Sequence, residues 1–373
     1  MFAPRLEIDL DKIQHNARTL VERLARHGIS VTGVTKATLG SPEIARAMLL
    51  SGVSDLGDSR IENIEAMRRS HVSARMSLIR SPMLSQAKRV VTSADVSFNS
   101  ELDAVRRLSL EARKLNRTHA VVLMVELGDL REGIMPADLK AAVRETLGLP
   151  NIVFKGIGTN LACRSGVSPD DTNMEELSRL ATLIEEAFDI SLEIVSGGNS
   201  ANLQWVFSTA HTGRINNLRL GESILLGREA LHRNAIDGLH TDAITLVAEV
   251  IESKVKPTQP WGNLAQTAFG TGPVVTDRGA IRQTILAIGI QDVDPCGLRP
   301  PKGIEILAGS SDHLITTSTV DSARVGAEMA FQLDYSALVR AMTSPFVTKS
   351  LKSAGNASGL RSNSLIRLAV GSR

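Results

Sequence analysis

The chain has 373 residues with 42 Lys and Arg against 40 Asp and Glu, a net charge of +2, so its charge balance gives no reason to invoke nucleic acid or an anionic membrane surface. Aromatic residues make up 3% and there is one tyrosine, Tyr335, which argues against base-stacking platforms and limits the phenolic acids and bases available. Two cysteines, Cys163 and Cys296, lie far apart in no metal-ligand spacing, so neither a disulfide framework nor a metal site is expected and a reduced, cytoplasmic setting fits.

The first residues lack the basic head and apolar stretch of a signal peptide, and no run reaches membrane-spanning length, so a soluble protein is expected. A short strand at 6–10 leads into a helix at 11–26, with Ile13, Ala17, Leu20, Val21 and Leu24 on one face. Strand patterns follow at 31–35, 54–56, 76–79, 90–93 or 95–98, 119–126, 152–157, 192–195 and 217–220. Helical patterns lie between them at 42–51, 61–70, 85–89, 101–115, 137–147, 174–188 and 201–209. About eight strand-then-helix units predict an α/β fold, a (β/α)8 TIM barrel, with a doubly wound open sheet as the alternative. From Thr241 the rhythm becomes β-rich and Gly- and Pro-punctuated, at 244–256, 265–270, 284–290, 304–307, 314–318 and 328–333, with one helix at 336–342. This reading places a barrel at 1–238, a C-terminal β domain at 239–348 and a mobile tail at 349–373.

Within the barrel, the run Ile-Ser-Val-Thr-Gly-Val-Thr-Lys-Ala-Thr-Leu at 29–39 delivers Lys36 to a strand end. Partial burial there penalises the ammonium form and makes the amine available as a nucleophile or base. Downstream, Ser-Gly-Gly-Asn-Ser at 196–200 opens a helix with small residues and a hydroxyl, which suits a phosphate or, more plainly, a capped turn. Arg219 ends the last barrel strand, before the permissive backbone of Gly221 and Glu222; its plainer role is a salt bridge. Together a strand-end lysine, a phosphate cup and an arginine meet the requirements of pyridoxal 5′-phosphate.

These residues stand within longer runs: Glu-Ile-Asp-Leu-Asp-Lys-Ile, Val-Thr-Lys-Ala, Asn-Leu-Arg-Leu-Gly-Glu, Ala-Ile-Gly-Ile-Gln-Asp-Val-Asp and Gly-Ser-Ser-Asp-His-Leu. In that order they resemble the alanine racemase-like, fold-type III pyridoxal phosphate enzymes, in the branch that includes ornithine and lysine racemases. The resemblance implies that Lys36 carries the cofactor, Ser200 and the Gly221 and Glu222 amides hold its phosphate, and Arg219 faces the pyridine nitrogen. It also implies that Arg131 lies near the substrate carboxylate. Three departures accompany it. Ile290 stands where alanine racemases carry a catalytic tyrosine, Asn160 where its histidine partner is expected, and Met124 where some members have a carbamylated lysine.

The resemblance further implies a head-to-tail homodimer in which the β domain of one subunit closes the barrel mouth of the other. Candidates for the second base are then Asp292, Asp312 and His313. The expected activity is racemisation of a free basic amino acid, ornithine or lysine, with Asp129, Glu132, Asp292 and Asp294 as acids able to attract a cationic side chain. The alternatives are a decarboxylase or aldolase on the same scaffold, or a cofactor carrier with little turnover.

Overall fold

The computed structural model describes residues 2–270, 276–318 and 324–353 and divides into two compact units. One comprises residues 12–240; the other combines residues up to 11 with those from 241 onward.

The first unit is a closed parallel barrel of eight strands. These are β2 (Ser30–Val34), β3 (Asp55–Asp58), β4 (Met76–Leu78), β5 (Val96–Asn99), β6 (His119–Met124), β7 (Ile152–Gly158), β8 (Ile194–Ser196) and β9 (Asn217–Leu220). Closure is by β9 on β2, with Thr32 opposite Arg219. Val96, Phe98, Val122 and Met124 form a buried cluster with Ile79, Ala120 and Ile194 packed on it, the apolar filling that makes such a barrel a solid core and not a pore. Met124 is therefore a core residue.

Helices α1 (Leu10–Ala25), α2 (Pro42–Leu49), α3 (Ile61–Arg69), α4 (Ala87–Ser93), α5 (Leu102–Lys114), α6 (Pro136–Gly148), α7 (Asp171–Phe188), α8 (Asn202–Ser208) and α9 (Glu222–Leu226) alternate with these strands. Local signals explain several starts. Ser41 caps α2 by accepting from the Ile44 N–H with Pro42 inside the first turn, and Asp170 and Asn173 form a reciprocal capping box at α7. Among the described residues no helix is long and apolar enough to cross a membrane.

In the second unit β1 (Arg5–Asp9) pairs antiparallel with β10 (Ile244–Pro257) and parallel with β16 (Thr348–Lys352). The rest of the sheet runs β12 (Leu298–Arg299), β15 (Glu328–Leu333), β10, β11 (Ala280–Leu286), β14 (Leu314–Ser318), β13 (Ile304–Gly309). One helix, α10 (Tyr335–Thr343), follows β15.

One open alternative closes and three expectations change. Val90 and Val91 are buried on α4, so the fifth strand is at 96–99; a short β-branched run is ambiguous between a strand and a helix face. The stretch 265–270 is a turn with one isolated bridge, Thr267 to Gly270. The strand expected to reach 290 stops at Leu286, because Gly289 opens a turn to Val293 in which a Cβ would lie 2.3 Å from the Ser311 carbonyl oxygen. Finally, Lys349 to Lys352 form strand against β1 instead of tail, so the first strand belongs with the C-terminal unit; residues 354–373 lie outside the described residues.

Between barrel and helices, His119 is 2% exposed, with Nε2 2.9 Å from Ser97 Oγ. Burial lowers its pKa to about 4, against a weaker opposing pull from Asp95. A base whose pKa is lower in the fold than in the unfolded chain costs stability as it protonates. Acidification from pH 7 to 5 should therefore remove about 2 kcal/mol through this group. Urea titrations at the two pH values check this: His119→Asn should lose correspondingly less between them, and an equal loss would contradict the assignment.

Candidate active site

Lys36 lies one residue beyond β2, after Thr35, and opens a tight turn, Lys36–Thr38. The turn is held on both sides: the Thr35 N–H donates to the Gly57 carbonyl at 2.9 Å, Thr35 Oγ1 donates to Asp58 Oδ2 at 2.8 Å, and Thr38 Oγ1 donates back to the Thr35 carbonyl at 3.0 Å. Burial lowers the Lys36 pKa. Arg131 and Arg219 push in the same direction, while Cys163 and Asp58 oppose them. Asp58 is itself pushed up by burial, against donors from the Arg60 backbone, Thr35 and Asn63.

Arg219 projects from β9 into the barrel and is 4% exposed. Its fork donates to Ser196 Oγ, to the Thr159 carbonyl at 2.8 Å and to Asn160 Oδ1 at 3.2 Å, and the guanidinium lies 5.1 Å from the centroid of Phe98. Burial pushes its pKa down to about 10, so it stays a cation at neutral pH. Those three acceptors are neutral oxygens, which leaves its charge available to a ligand.

Beyond β8 and β9 two hydroxyls meet: Ser200 Oγ lies 3.0 Å from Ser223 Oγ and accepts from the Ser223 N–H at 3.2 Å. Gly221 and Glu222 lead into α9 beside them, and a Cβ at Gly221 would lie 3.1 Å from Val34, a tight contact that glycine relieves as the backbone passes β2.

Asn160 Oδ1 also accepts from Asn199 Nδ2 at 3.1 Å, and its Nδ2 donates to Cys163 Sγ at 2.9 Å. Arg131, on the loop after β6, pairs with Glu132 and lies close enough to Lys36 and Arg219 to disfavour charge on both. Asp129 departs from its expected role. It is fully buried and accepts backbone N–H groups of Cys163, Arg164 and Ser165, so it is a loop clamp and cannot meet a substrate ammonium. Burial opposes its ionisation, but those donors outweigh it and hold the carboxyl below its ordinary range.

The remaining candidates belong to the second unit and form one cluster there. The Ile290 N–H donates to the Ser310 carbonyl at 2.8 Å and the Gln291 N–H to that of Ser311 at 3.1 Å, joining two turns. Asp292 accepts from Ser344 Oγ at 2.5 Å, Asp312 from Gln291 Nε2 at 2.7 Å, and His313 Nδ1 lies 3.4 Å from Ser310 Oγ. Asp294 accepts from the Cys296 N–H and from Ser336 Oγ.

Residues 8–229 match the family described as alanine racemase, N-terminal domain. The chain is 38% identical to an ornithine racemase from Acetoanaerobium sticklandii over 352 residues, 93% of this chain and 99% of that protein. It is also 38% identical to a lysine racemase from Thermotoga maritima, covering 94% of this chain and 98% of that one. The chain belongs to the alanine racemase family. Its fold agrees: the alanine racemase of a D-cycloserine-producing Streptomyces lavendulae superposes with a TM-score of 0.73 at 19% identity, covering 95% of this chain and 98% of that one.

Within this racemase fold, the barrel brings Lys36, Arg131, Asn160, Ser200, Arg219, Gly221 and Glu222 into the loops and strand ends after β2, β6, β7, β8 and β9. Sequence reasoning missed Ser223, Asp58 and the clamp role of Asp129. For Ser223 a signal was present, since Gly-Glu-Ser at a helix start offers a hydroxyl one residue beyond the expected amides.

Proposed function

We propose that this protein is a pyridoxal 5′-phosphate-dependent racemase of a free basic amino acid, ornithine or lysine. The observation that carries the cofactor is the donor set in one barrel: a lysine whose ammonium is disfavoured, a buried arginine with its charge uncommitted to any carboxylate, and paired hydroxyls beside a glycine cradle. That chemistry fits an aldehyde, a ring nitrogen and a phosphate in turn. When bound, the cofactor supplies an electron sink that acidifies Cα of an attached amino acid.

The residues do the rest. As a free amine, whose charge burial disfavours, Lys36 would accept and return a proton on one face of Cα. Guanidinium cannot accept a proton, so Arg219 donates to the ring nitrogen and keeps it unprotonated, which weakens the sink and discourages side reactions. Ser200, Ser223 and the Gly221 and Glu222 amides hold the phosphate, and Arg131 takes the substrate carboxylate. For the opposite face, a head-to-tail dimer would present the second unit's turn cluster, with Asp292, Asp312 and His313 as the available acids and bases. His313 is the least engaged of these by its neighbours.

Relatedness to ornithine and lysine racemases supports a cationic side chain. Turnover of ornithine, lysine, norleucine and alanine tests it. Norleucine, nearly as long as lysine but uncharged, should fall behind lysine by roughly 100-fold or more in kcat/KM. Equal turnover would mean that the charge is not read.

A further inference from the structure

The loops after β6 and β7 are laced together by a buried carboxylate that the chemistry above does not use. Asp129 Oδ2 accepts from the N–H groups of Cys163 at 3.2 Å and Arg164 at 2.9 Å, and its Oδ1 from that of Ser165 at 3.0 Å. The lacing is reciprocal. Ser165 Oγ donates to the Asp129 carbonyl at 2.7 Å and the Arg164 guanidinium to the Leu130 carbonyl at 2.6 Å. On the near side Glu126 accepts from the N–H groups of Gly128 at 2.6 Å, Leu130 at 2.9 Å and Arg131 at 3.2 Å. Between the clamps Leu130 is held at φ 54, a left-handed conformation that costs a β-carbon-bearing residue about 1 kcal/mol and persists only where its surroundings dictate it.

The residue that follows is Arg131. Three backbone N–H groups from the β7 loop fasten, through one buried carboxylate, a loop whose tip, Leu130, is 61% exposed. The fastening makes sense if the backbone of residue 131 must be fixed, because a shift of about 1 Å in a guanidinium changes the carboxylate geometry it can offer. We propose that Asp129 is the positioning residue of Arg131: by pinning the β7 loop to residues 129–130, it sets the guanidinium where an amino-acid carboxylate arrives. This rests on Arg131 as the carboxylate partner.

The test uses the holoprotein titrated with L-ornithine and with 1,4-diaminobutane, the same amine chain without a carboxylate, read by the absorbance change of the bound cofactor. Arg131→Met, Asp129→Asn and the double variant are compared with the unaltered protein. Asp129→Asn should weaken ornithine binding roughly 10-fold or more while leaving the diamine within about twofold, and should add nothing in the Arg131→Met background. Equal weakening of both ligands, or an undiminished effect without Arg131, would overturn the proposal. If Asp129→Asn fails to fold, Ser165→Ala removes one strut only; selective loss of ornithine supports positioning, and none, or an equal loss of both ligands, overturns it. Should Arg131→Met itself leave ornithine binding unchanged, the carboxylate role of Arg131 falls first.

Discussion

Lys36→Ala should lower turnover by at least roughly 1,000-fold and abolish the borohydride-fixable attachment of the cofactor, without lowering the stability of the protein. The loss of chemistry follows from the position of the amine, beside Arg131 and Arg219 and sunk far enough that burial disfavours its charge. The unchanged stability follows from what it does not do: among the described residues the Lys36 side chain makes no hydrogen bond or ion pair, so its removal orphans no partner. The sign with pH is also fixed. A lysine whose pKa is lower in the fold than in the unfolded chain costs stability while it is protonated, and the cost is relieved as pH rises from the folded toward the unfolded value. Cofactor-free Lys36→Ala should thus be at least as stable as the parent at neutral pH, with any advantage fading toward alkaline pH. Denaturant titration, borohydride reduction and a turnover assay read the three quantities; a variant that retained turnover would end the assignment of Lys36.

Arg219 carries the second large effect, and here structure and chemistry fail together. Arg219→Met would remove a donor shared by Ser196 Oγ, the Thr159 carbonyl and Asn160 Oδ1; Asn160 keeps Asn199 and Ser196 keeps Asn217, so the buried Thr159 carbonyl bears the loss, at roughly 1–3 kcal/mol. Arg219→Lys keeps a cation but replaces a planar fork with a point donor, which cannot serve three acceptors spread over two strand ends and Phe98. Both should lose most turnover, Met with the larger fall in stability. Arg219→Glu differs in kind, since a carboxylate can share a proton with a ring nitrogen where guanidinium cannot. It should yield 2-oxo acid as a side product, read by chromatography. A Glu variant that made no such product would remove Arg219 from the ring-nitrogen role.

Much of the barrel could be read from sequence because parallel strands buried on both faces are short, β-branched and regularly followed by amphipathic helices. Asn217–Leu220 and the turn that presents Lys36 are local in this sense. What escaped depends on distant partners. Lys349–Lys352 reads as a polar tail until β1, more than 300 residues earlier, supplies its ladder, in which Ser350 is buried. Val90 and Val91 fit a strand or a helix face equally until the barrel register is known. Asp129 failed for a related reason. An acid beside an arginine on a loop looks solvated and free to attract a cation, and only the fold shows that its oxygens are taken by three backbone N–H groups from the neighbouring loop.

The racemase reading meets its most direct test in chiral chromatography of L-ornithine, D-ornithine, L-lysine and D-lysine incubated separately with the reconstituted protein. Enantiomers have equal free energy in water, so a racemase must bring each pair to the same 1:1 ratio from either side, and that is the expected result for at least one of the two amino acids. Accumulation of an amine or an aldehyde, or four substrates recovered unchanged, would contradict it.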